Sequence, residues 1–578
     1  MSTTETTETT ETTEAHDLVT SQGSAGAVQE EGSATPSRQS RNEAASAQHD
    51  SSSPPVEHLS GFWRRAAFVG AALAIVAGLV LRFWTRSPLW LDEALTVDIS
   101  KLPIHSIPAA LKRDGAPPLY YYMLHFWMGV FGTSNLGVRS LAGVISVATI
   151  PVAWVAARRY AGKKAAWIVV IMVATAPFAV YYATEARMYS LVMFLSACGI
   201  VAVDNCLRKP TPGNVVAIAV VTSGLLYSHY WSLYLVGAAG LWLIIRIVRS
   251  ETLERKKAIT ALFGVVAGCI TFVPWVPILI FQAKHTGTPW AKPPNFAAII
   301  NAVTGFTDNQ ATQLTTGSNQ GRLLALFYFG LAALGLFGVA VDRFHIDLDI
   351  RTRRRGRPMA FIVGVTLTAA IAGGIITGSA FSPRYASVVF IPLLVLIAVG
   401  ALVVSDVRFR AIMVTVIAVA GLAVAVENIW TQRTQAAQVA AVINSHAHPG
   451  DVVAFCPDQL GPAVNRLLPG GRFTMITYPR GTGPEFVNWV NYTAVAQASN
   501  PAKFALRLER MAGTRHQIWL VNAPNYHGFG IKCQQLAGDL LNAPGYGGHQ
   551  WVAANSYKFY EPMTLTQFAP PTARQATG

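Results

Sequence analysis

What constrains this chain most is a succession of apolar runs that, with their flanks, reach about twenty residues. That length crosses roughly 30 Å of hydrocarbon at about 1.5 Å per helical residue. Phe68 to Leu81, Ala258 to Phe281, Met359 to Ser379 and Ala411 to Val426 contain no charged side chain. Eleven spans are predicted, at 64–83, 137–157, 165–182, 188–205, 214–228, 231–248, 258–281, 322–341, 359–380, 386–404 and 410–428. Composition agrees. Only 13% of the 578 residues are charged against 52% hydrophobic, about half the charged fraction usual in a soluble protein.

The net charge of +15 would point to nucleic acid in a soluble chain. Here the basic residues sit in short connections between apolar runs, where they act as topology determinants and meet anionic lipid headgroups. No nucleic-acid recognition motif accompanies them, so that partner is excluded and membrane lipids are expected instead. Of the five cysteines, Cys198, Cys206 and Cys269 fall in or beside apolar runs and read as small hydrophobes. Cys456 and Cys533 lie in a soluble C-terminal part and are expected to pair there, where oxidation can occur. No C-x-x-C occurs, which argues against a zinc or redox site of that kind.

Three regions follow. Residues 1–60, rich in Thr, Glu, Ser, Ala and Gln, are expected to be a disordered cytoplasmic tail, too acidic and too long to open a signal peptide. Residues 61–430 hold the spans, with two long external loops at 84–136 and 282–321. Within the first loop, Pro118 to Phe131 is too short to span and reads as an interfacial helix. Residues 431–578 read as a small α/β domain. Strands are expected at Asp451–Cys456, Phe473–Tyr478 and His516–Val521 in a mostly parallel sheet, with helices at Pro462–Leu468, Ala502–Met511 and Lys532–Leu541. No Gly-rich dinucleotide fingerprint follows any of these strands.

Lys and Arg concentrate in alternate connections, at 158–164, 208–209, 246–257, 343–357 and 408–410. By the positive-inside rule these are cytoplasmic, as is the N-terminus, and the odd number of spans puts the C-terminal domain outside. The expected location is multi-pass in the plasma (inner) membrane.

The distinctive polar residues collect on the opposite side. Trp90-Leu91-Asp92-Glu93 follows the first span. Paired carboxylates beside a membrane are costly to desolvate unless they have partners or a task. One reading is a general base with a second acid beside it; the other is an acidic helix N-terminus that complements the macrodipole. The short turn after the third span carries Glu185-Ala186-Arg187-Met188-Tyr189. Glu185 and Arg187 either pair with each other, or Arg187 offers its planar fork of donors to a lipid phosphate. Two further outer turns, His229-Tyr230-Trp231 and Pro383-Arg384-Tyr385, repeat the basic and aromatic theme.

A base, two arginines and aromatic faces suit sugar transfer from a polyprenyl phosphate. Asp92 would take the acceptor proton, and Arg187 and Arg384 would stabilise the leaving phosphate. Trp90 and Tyr120 to Tyr122 would stack on sugar faces. The motifs Asp92-Glu93, Pro117-Pro118-Leu119-Tyr120-Tyr121, Glu185 to Tyr189 and Arg384-Tyr385, in this order, resemble the GT-C glycosyltransferases. Within them they resemble the branch of protein mannosyltransferases and bacterial aminoarabinose and Rgt-type transferases, over residues 61–430.

That resemblance implies a polytopic α-helical membrane protein of about eleven helices, with external helices from the first loop. It implies a polyprenyl-phosphate sugar donor and Asp92 as base, with Glu93 beside it. Arg187, Arg384, Tyr385 and His229 would bind the donor phosphate, and Glu185, Tyr189, Tyr230, Asp114, Tyr120, Tyr121 and Trp90 would support the substrates. The sugar expected is mannose, with arabinose the alternative, and the acceptor a cell-envelope glycan, lipid or protein. Relatives often carry a His before Pro-Pro-Leu-Tyr; here that position is Ala116, with Asp114 upstream. Some GT-C enzymes need a divalent metal; Asp92, Glu93 and Asp114 are the candidate ligands, and no metal site is assigned. The competing functions are a flippase or transporter for a lipid-linked sugar and a cell-wall assembly scaffold. Against the former, no internal repeat is present, and Asp204, Asp406 and Glu427 lie near span ends.

Overall fold

The computed structural model describes residues 61–287, 294–308, 319–523, 526 and 528–570. The tail at 1–60 and much of the loop at 282–321 lie outside the described residues.

All eleven expected spans are helices. Nine are individually long and apolar enough to cross a membrane: α1 (Gly61–Leu81), α5 (Asn135–Ala161), α8 (Tyr189–Arg208), α10 (Ser232–Arg249), the continuous Thr252–His285 segment, α14 (Asn319–Phe337), α15 (Arg357–Thr377), Pro383–Ala401 and α17 (Val407–Trp430). A tenth is broken into α6 (Lys163–Thr175) and α7 (Pro177–Ala183), bent by 53°. The shorter apolar helix α9 (Pro212–Ser228) completes the set. The Thr252–His285 segment contains α11 (Thr252–Thr271) and α12 (Val276–His285), and Pro383–Ala401 contains α16 (Ser387–Ala401).

The helices sort by how they hide apolar surface. α1 is apolar on every face and yet packs on little of it: Phe68 is 72% and Leu73 64% exposed, which suits contact with lipid tails. α16 is the opposite, with every residue from Ser387 to Ala401 buried, and forms the centre of the bundle. Its Pro392 cannot donate to the carbonyl four residues back; Ser196 Oγ on α8 donates to that Val388 oxygen instead, at 2.9 Å.

α14 and α16 meet at glycines. A Cβ on Gly400 would lie 1.7 Å from the Leu331 carbonyl oxygen. Close approach through small residues is how helices associate where water does not drive them together. Gly400→Val is therefore expected to force α14 away from the central helix and to cut the yield of monodisperse protein in detergent by more than half. An unchanged size-exclusion profile would contradict this packing.

The break between α6 and α7 is held by one side chain. Arg82, buried after α1, donates to the carbonyls of Val173 (2.6 Å), Ala174 (2.8 Å) and Gly78 (2.6 Å) and to Ser146 Oγ (3.0 Å). The last carbonyls of α6 lose their partners where Pro177 follows, and a cation there also suits the negative end of the helix dipole. The bend aims α7 and the turn after it at the functional end of the bundle.

The predicted span 322–341 is longer than the helix. Residues beyond Phe337 form a hairpin, β1 (Gly338–Ala340) with β2 (Ile346–Leu348), turned by the Asp342 carboxylate, which accepts from the N–H groups of Phe344 and His345.

The first loop carries α2 (Leu91–Lys101), α3 (Ile107–Asp114) and α4 (Leu119–Phe131); α13 (Ala298–Gly305) lies in the second. After α17 come α18 (Ala436–His446), α19 (Gly461–Asn465), α20 (Tyr492–Ala498), α21 (Pro501–Ala512) and α22 (Lys532–Leu541) around a five-stranded sheet. Its order is β4-β3-β5-β7-β6. The three expected strands, β3 (Val452–Cys456), β4 (Thr474–Thr477) and β5 (Ile518–Asn522), are parallel neighbours. β6 (Gly547–Val552) and β7 (Thr564–Ala569) add an antiparallel half that was not anticipated. Both are only partly buried and carry polar residues, so they lack the continuous apolar run of β3 and β5. Cys456 and Cys533 form the expected disulfide, tying β3 to α22.

Candidate active site

The turns that gather the distinctive residues all meet at one end of the bundle, beneath the C-terminal sheet. α2 starts at Leu91, so Asp92 and Glu93 stand in its first turn about 100° apart around the axis. That angle sends them to different places. Asp92 faces a cavity of about 390 Å³, where its Oδ2 lies 3.2 Å from Arg384 Nη1 and 4.0 Å from Arg187 Nη2. Arg187 also donates to Thr96 Oγ1 (2.9 Å) and Tyr121 Oη (3.2 Å).

Glu93 corrects the expectation of a second catalytic acid. It is fully buried behind α2, gripped in bidentate fashion by Arg139 on α5 (Nε to Oε1 2.7 Å, Nη2 to Oε2 2.5 Å). The N–H of Ala186 donates to the same carboxylate at 2.9 Å, and Arg433 stands 3.6 Å away. Burial opposes its charge, but Arg139 and Arg433 hold its carboxyl below the usual range. Glu93 therefore stitches α2 and α5 to the turn that presents Arg187.

Glu185 is likewise withdrawn from the cavity. It does not pair with Arg187; its carboxylate lies 4.0 Å from Arg433, and burial pushes it up to about 7. Arg139, Glu93, Arg433 and Glu185 form a closed ionic chain behind the cavity wall, and Arg433 also donates to the Thr184 carbonyl (3.0 Å) and hydroxyl (2.7 Å).

The cavity's charged groups are Asp92, Asp114, Arg187 and Arg384. Asp114 ends α3, where Gly115 in the left-handed region (φ 95°) turns the chain into Ala116-Pro117-Pro118. Its Oδ2 accepts from Tyr121 Oη at 2.9 Å, and burial raises its carboxyl against the opposing pull of Arg187.

Tyr189, His229, Tyr230 and Tyr385 supply an aromatic wall, with ring centroids 5.8 Å apart for Tyr189 and His229 and 5.4 Å for His229 and Tyr385. His229 Nδ1 accepts from the Trp231 N–H (3.1 Å), and burial, with Arg187 and Arg384, pushes the ring down to about 3. It is a neutral hydrogen-bonding ring, not a cation. Tyr230 donates to Gln282 and accepts from Trp275 Nε1 (3.0 Å).

The stacking platforms expected at Trp90 and Tyr120 to Tyr122 are displaced. None of the four lines the cavity, and Trp90, Tyr120 and Tyr121 are buried outside it. Trp90 meets Tyr560 edge-on at 5.3 Å, and Tyr121 serves the Asp114–Arg187 link. The candidate metal ligands also diverge: Glu93 is taken by Arg139 and Asp114 by Tyr121. Among the described residues, no group of three His, Cys, Asp or Glu side chains forms a ligand set.

Four contributors escaped the sequence reading. Arg139 lay in an apolar span, and Arg433 at the start of the C-terminal region, outside its expected strands and helices. Trp489, which lines the cavity, and Glu561, which accepts from the Leu91 N–H at 3.3 Å, belong to the C-terminal domain. No local pattern marks them; only the docking of that domain brings them in. Its loop binds across the cavity rim, with Trp489 N–H to the Arg113 carbonyl (3.1 Å) and Asn491 N–H to that of His285 (2.7 Å).

A family model described as dolichyl-phosphate-mannose-protein mannosyltransferase matches residues 115–276. The structure is similar to that of ArnT from Cupriavidus metallidurans bound to undecaprenyl phosphate, with a TM-score of 0.53 at 15% identity, covering 88% of this chain and 98% of that one. The apo state of the same protein gives 0.55 at 16% identity over the same shares. An oligosaccharyltransferase from Archaeoglobus fulgidus gives 0.47 at 9% identity, covering 86% of this chain and 73% of that one. Sequence comparison with curated proteins finds no match. The chain thus shares the fold of ArnT over most of its length, and residues 115–276 match the dolichyl-phosphate-mannose-protein mannosyltransferase family model.

Proposed function

We propose that the chain transfers a sugar, mannose in preference to arabinose, from a polyprenyl-phosphate carrier to a cell-envelope glycan, lipid or protein. The observation that carries this is Asp92 set between Arg384 and Arg187 at the wall of one cavity. Two guanidinium groups converge on one cavity wall, where both can donate to the oxygens of a phosphate, and the cavity's other side is apolar, with Leu233, Leu279, Ala370 and Phe381, as a lipid carrier needs. Undecaprenyl phosphate, bound in the ArnT structure, has this chemistry.

In the reaction, the acceptor oxygen bonds to the anomeric carbon as the bond to the phosphate oxygen breaks. The lipid phosphate leaves with the bonding pair, steadied by Arg187 and Arg384, and the acceptor proton passes to Asp92. A single displacement inverts the anomeric centre. Asp114, under the influence of Arg187, and the neutral His229 are placed to hydrogen-bond sugar hydroxyls.

The cavity is assigned to the extracytoplasmic face, with the N-terminus cytoplasmic, because the Arg-rich connections occupy the other end of the bundle. There Tyr160 Oη donates to the Arg355 carbonyl, and Arg343 pairs with Asp406 at 2.6 Å. Single cysteines at Lys101 and Lys164 should react with an impermeant maleimide from outside and inside respectively; the reverse pattern overturns the sidedness.

The phosphate role is tested by undecaprenyl phosphate binding. Arg384→Ala should weaken it about 10- to 100-fold, the order of a lost charge-assisted hydrogen bond. Arg384→Lys should recover part. Unchanged affinity in both removes Arg384 from the phosphate site. Mass spectrometry of envelope glycans in a deletion strain identifies the sugar and acceptor.

A further inference from the structure

We infer that Glu561 is a positioning residue for Asp92, holding the start of the helix that carries it from the C-terminal domain. The inference rests on the proposed role of Asp92 as base. α2 begins without a cap of its own, because its N-cap residue is Trp90, whose side chain makes no capping hydrogen bond. The first helical N–H groups of a buried helix need an acceptor. Leu91, which immediately precedes Asp92, finds one 470 residues away, in Glu561 Oε1 at 3.3 Å, and both residues are buried.

Glu561 is itself tied down. Its N–H donates to the Arg433 carbonyl (2.9 Å), its carbonyl accepts from the Gln435 N–H (3.1 Å), and the strand contact Thr434–Glu561 runs parallel. Arg433, on the same strip, reaches the other acid of the pair, Glu93, and the turn at Thr184. Tyr560 sets its ring edge-on to Trp90 at 5.3 Å. The C-terminal domain thus holds α2 at Trp90, Leu91 and Glu93, on both sides of Asp92. A shift of the first turn by about 1 Å would carry the carboxylate away from Arg384, and misplacement on that scale costs catalysis heavily. Burial pushes the Glu561 carboxyl up to about 8 against hydrogen bonds from Thr434 and Leu91, so an amide of the same shape imitates it near neutral pH.

The test uses the full chain in proteoliposomes, with Cys198, Cys206 and Cys269 changed to serine and Asp92→Cys as a reporter in the cavity. The reaction rate of that thiol with a charged methanethiosulfonate needs no sugar substrate. Adding Glu561→Ala should change the rate at least fivefold, and adding Glu561→Gln less than twofold. Glu561→Asp, one methylene shorter, keeps a carboxyl, withdraws the acceptor and should follow alanine. Equal rates in the Ala, Asp and Gln backgrounds overturn the inference.

In transfer from undecaprenyl-phosphate mannose to envelope membranes, Glu561→Ala in the Asp92 protein should lower kcat 10- to 100-fold. KM for the donor should stay within twofold, and Glu561→Gln should restore at least a third of kcat. A rise in KM alone would instead make Glu561 a donor-binding group and overturn positioning. A native protein that transfers no sugar counts against the assigned reaction, while the thiol rates still decide the positioning.

Discussion

Asp92→Asn is expected to lower sugar transfer by about 10²- to 10⁴-fold, the usual contribution of a positioned general base. The amide is nearly isosteric with the carboxylate, so the bundle should fold and elute as the native protein does. It cannot accept the acceptor proton, however, and it no longer neutralises Arg384, 3.2 Å away. Undecaprenyl phosphate should therefore bind as well as to the native chain, or more tightly, while turnover collapses. That split separates loss of a base from loss of the site. Transfer at the native rate by Asp92→Asn would end the mechanism, and loss of lipid phosphate binding would show that the carboxylate organises the cavity instead.

Arg433→Met should have the largest effect on stability. Arg433 is buried between Glu93 at 3.6 Å and Glu185 at 4.0 Å, with its guanidinium 4.1 Å from the Tyr181 ring. Removing one partner of a buried ion pair while leaving the other costs about 3–5 kcal/mol. Glu93 keeps Arg139, so Glu185 is the acid left stranded. Burial already pushes Glu185 up to about 7, so it should take a proton when Arg433 is lost. The double variant Arg433→Met with Glu185→Gln should recover a large part of the lost melting temperature in detergent, whereas Arg433→Met with Glu93→Gln should recover little, because it strands Arg139. If Arg433→Met melts as the native protein does, the ionic chain does not hold the two domains together.

The comparison of Asp92 with Glu93 shows how far sequence reading reaches. Their adjacency beside an apolar run marked the place, and the motifs around Arg187 and Arg384 marked its partners. All three of Asp92, Arg187 and Arg384 meet in one cavity. Adjacency could not divide the labour between the two acids, because that depends on which face of α2 looks at solvent and which looks at α5. Glu185 was misplaced for the same reason: it sits two residues from Arg187 and turns to Arg433 instead of the cavity. His229 lines the cavity, and its neutral state is set by burial together with Arg187 and Arg384, which come from distant segments.

The hydrophobic patterning by itself determined the eleven helices, the end of the bundle at which the polar turns gather, and the three parallel strands. These follow from local free energies: backbone groups in lipid must be satisfied within the segment, and apolar runs have few other options. Tertiary structure decided which acid faces the cavity, that Arg139 and Arg433 close an ionic chain behind it, and that Trp489 and Glu561 reach it from another domain. Those outcomes depend on contacts between residues tens to hundreds of positions apart, each set by packing and desolvation that no window of sequence contains.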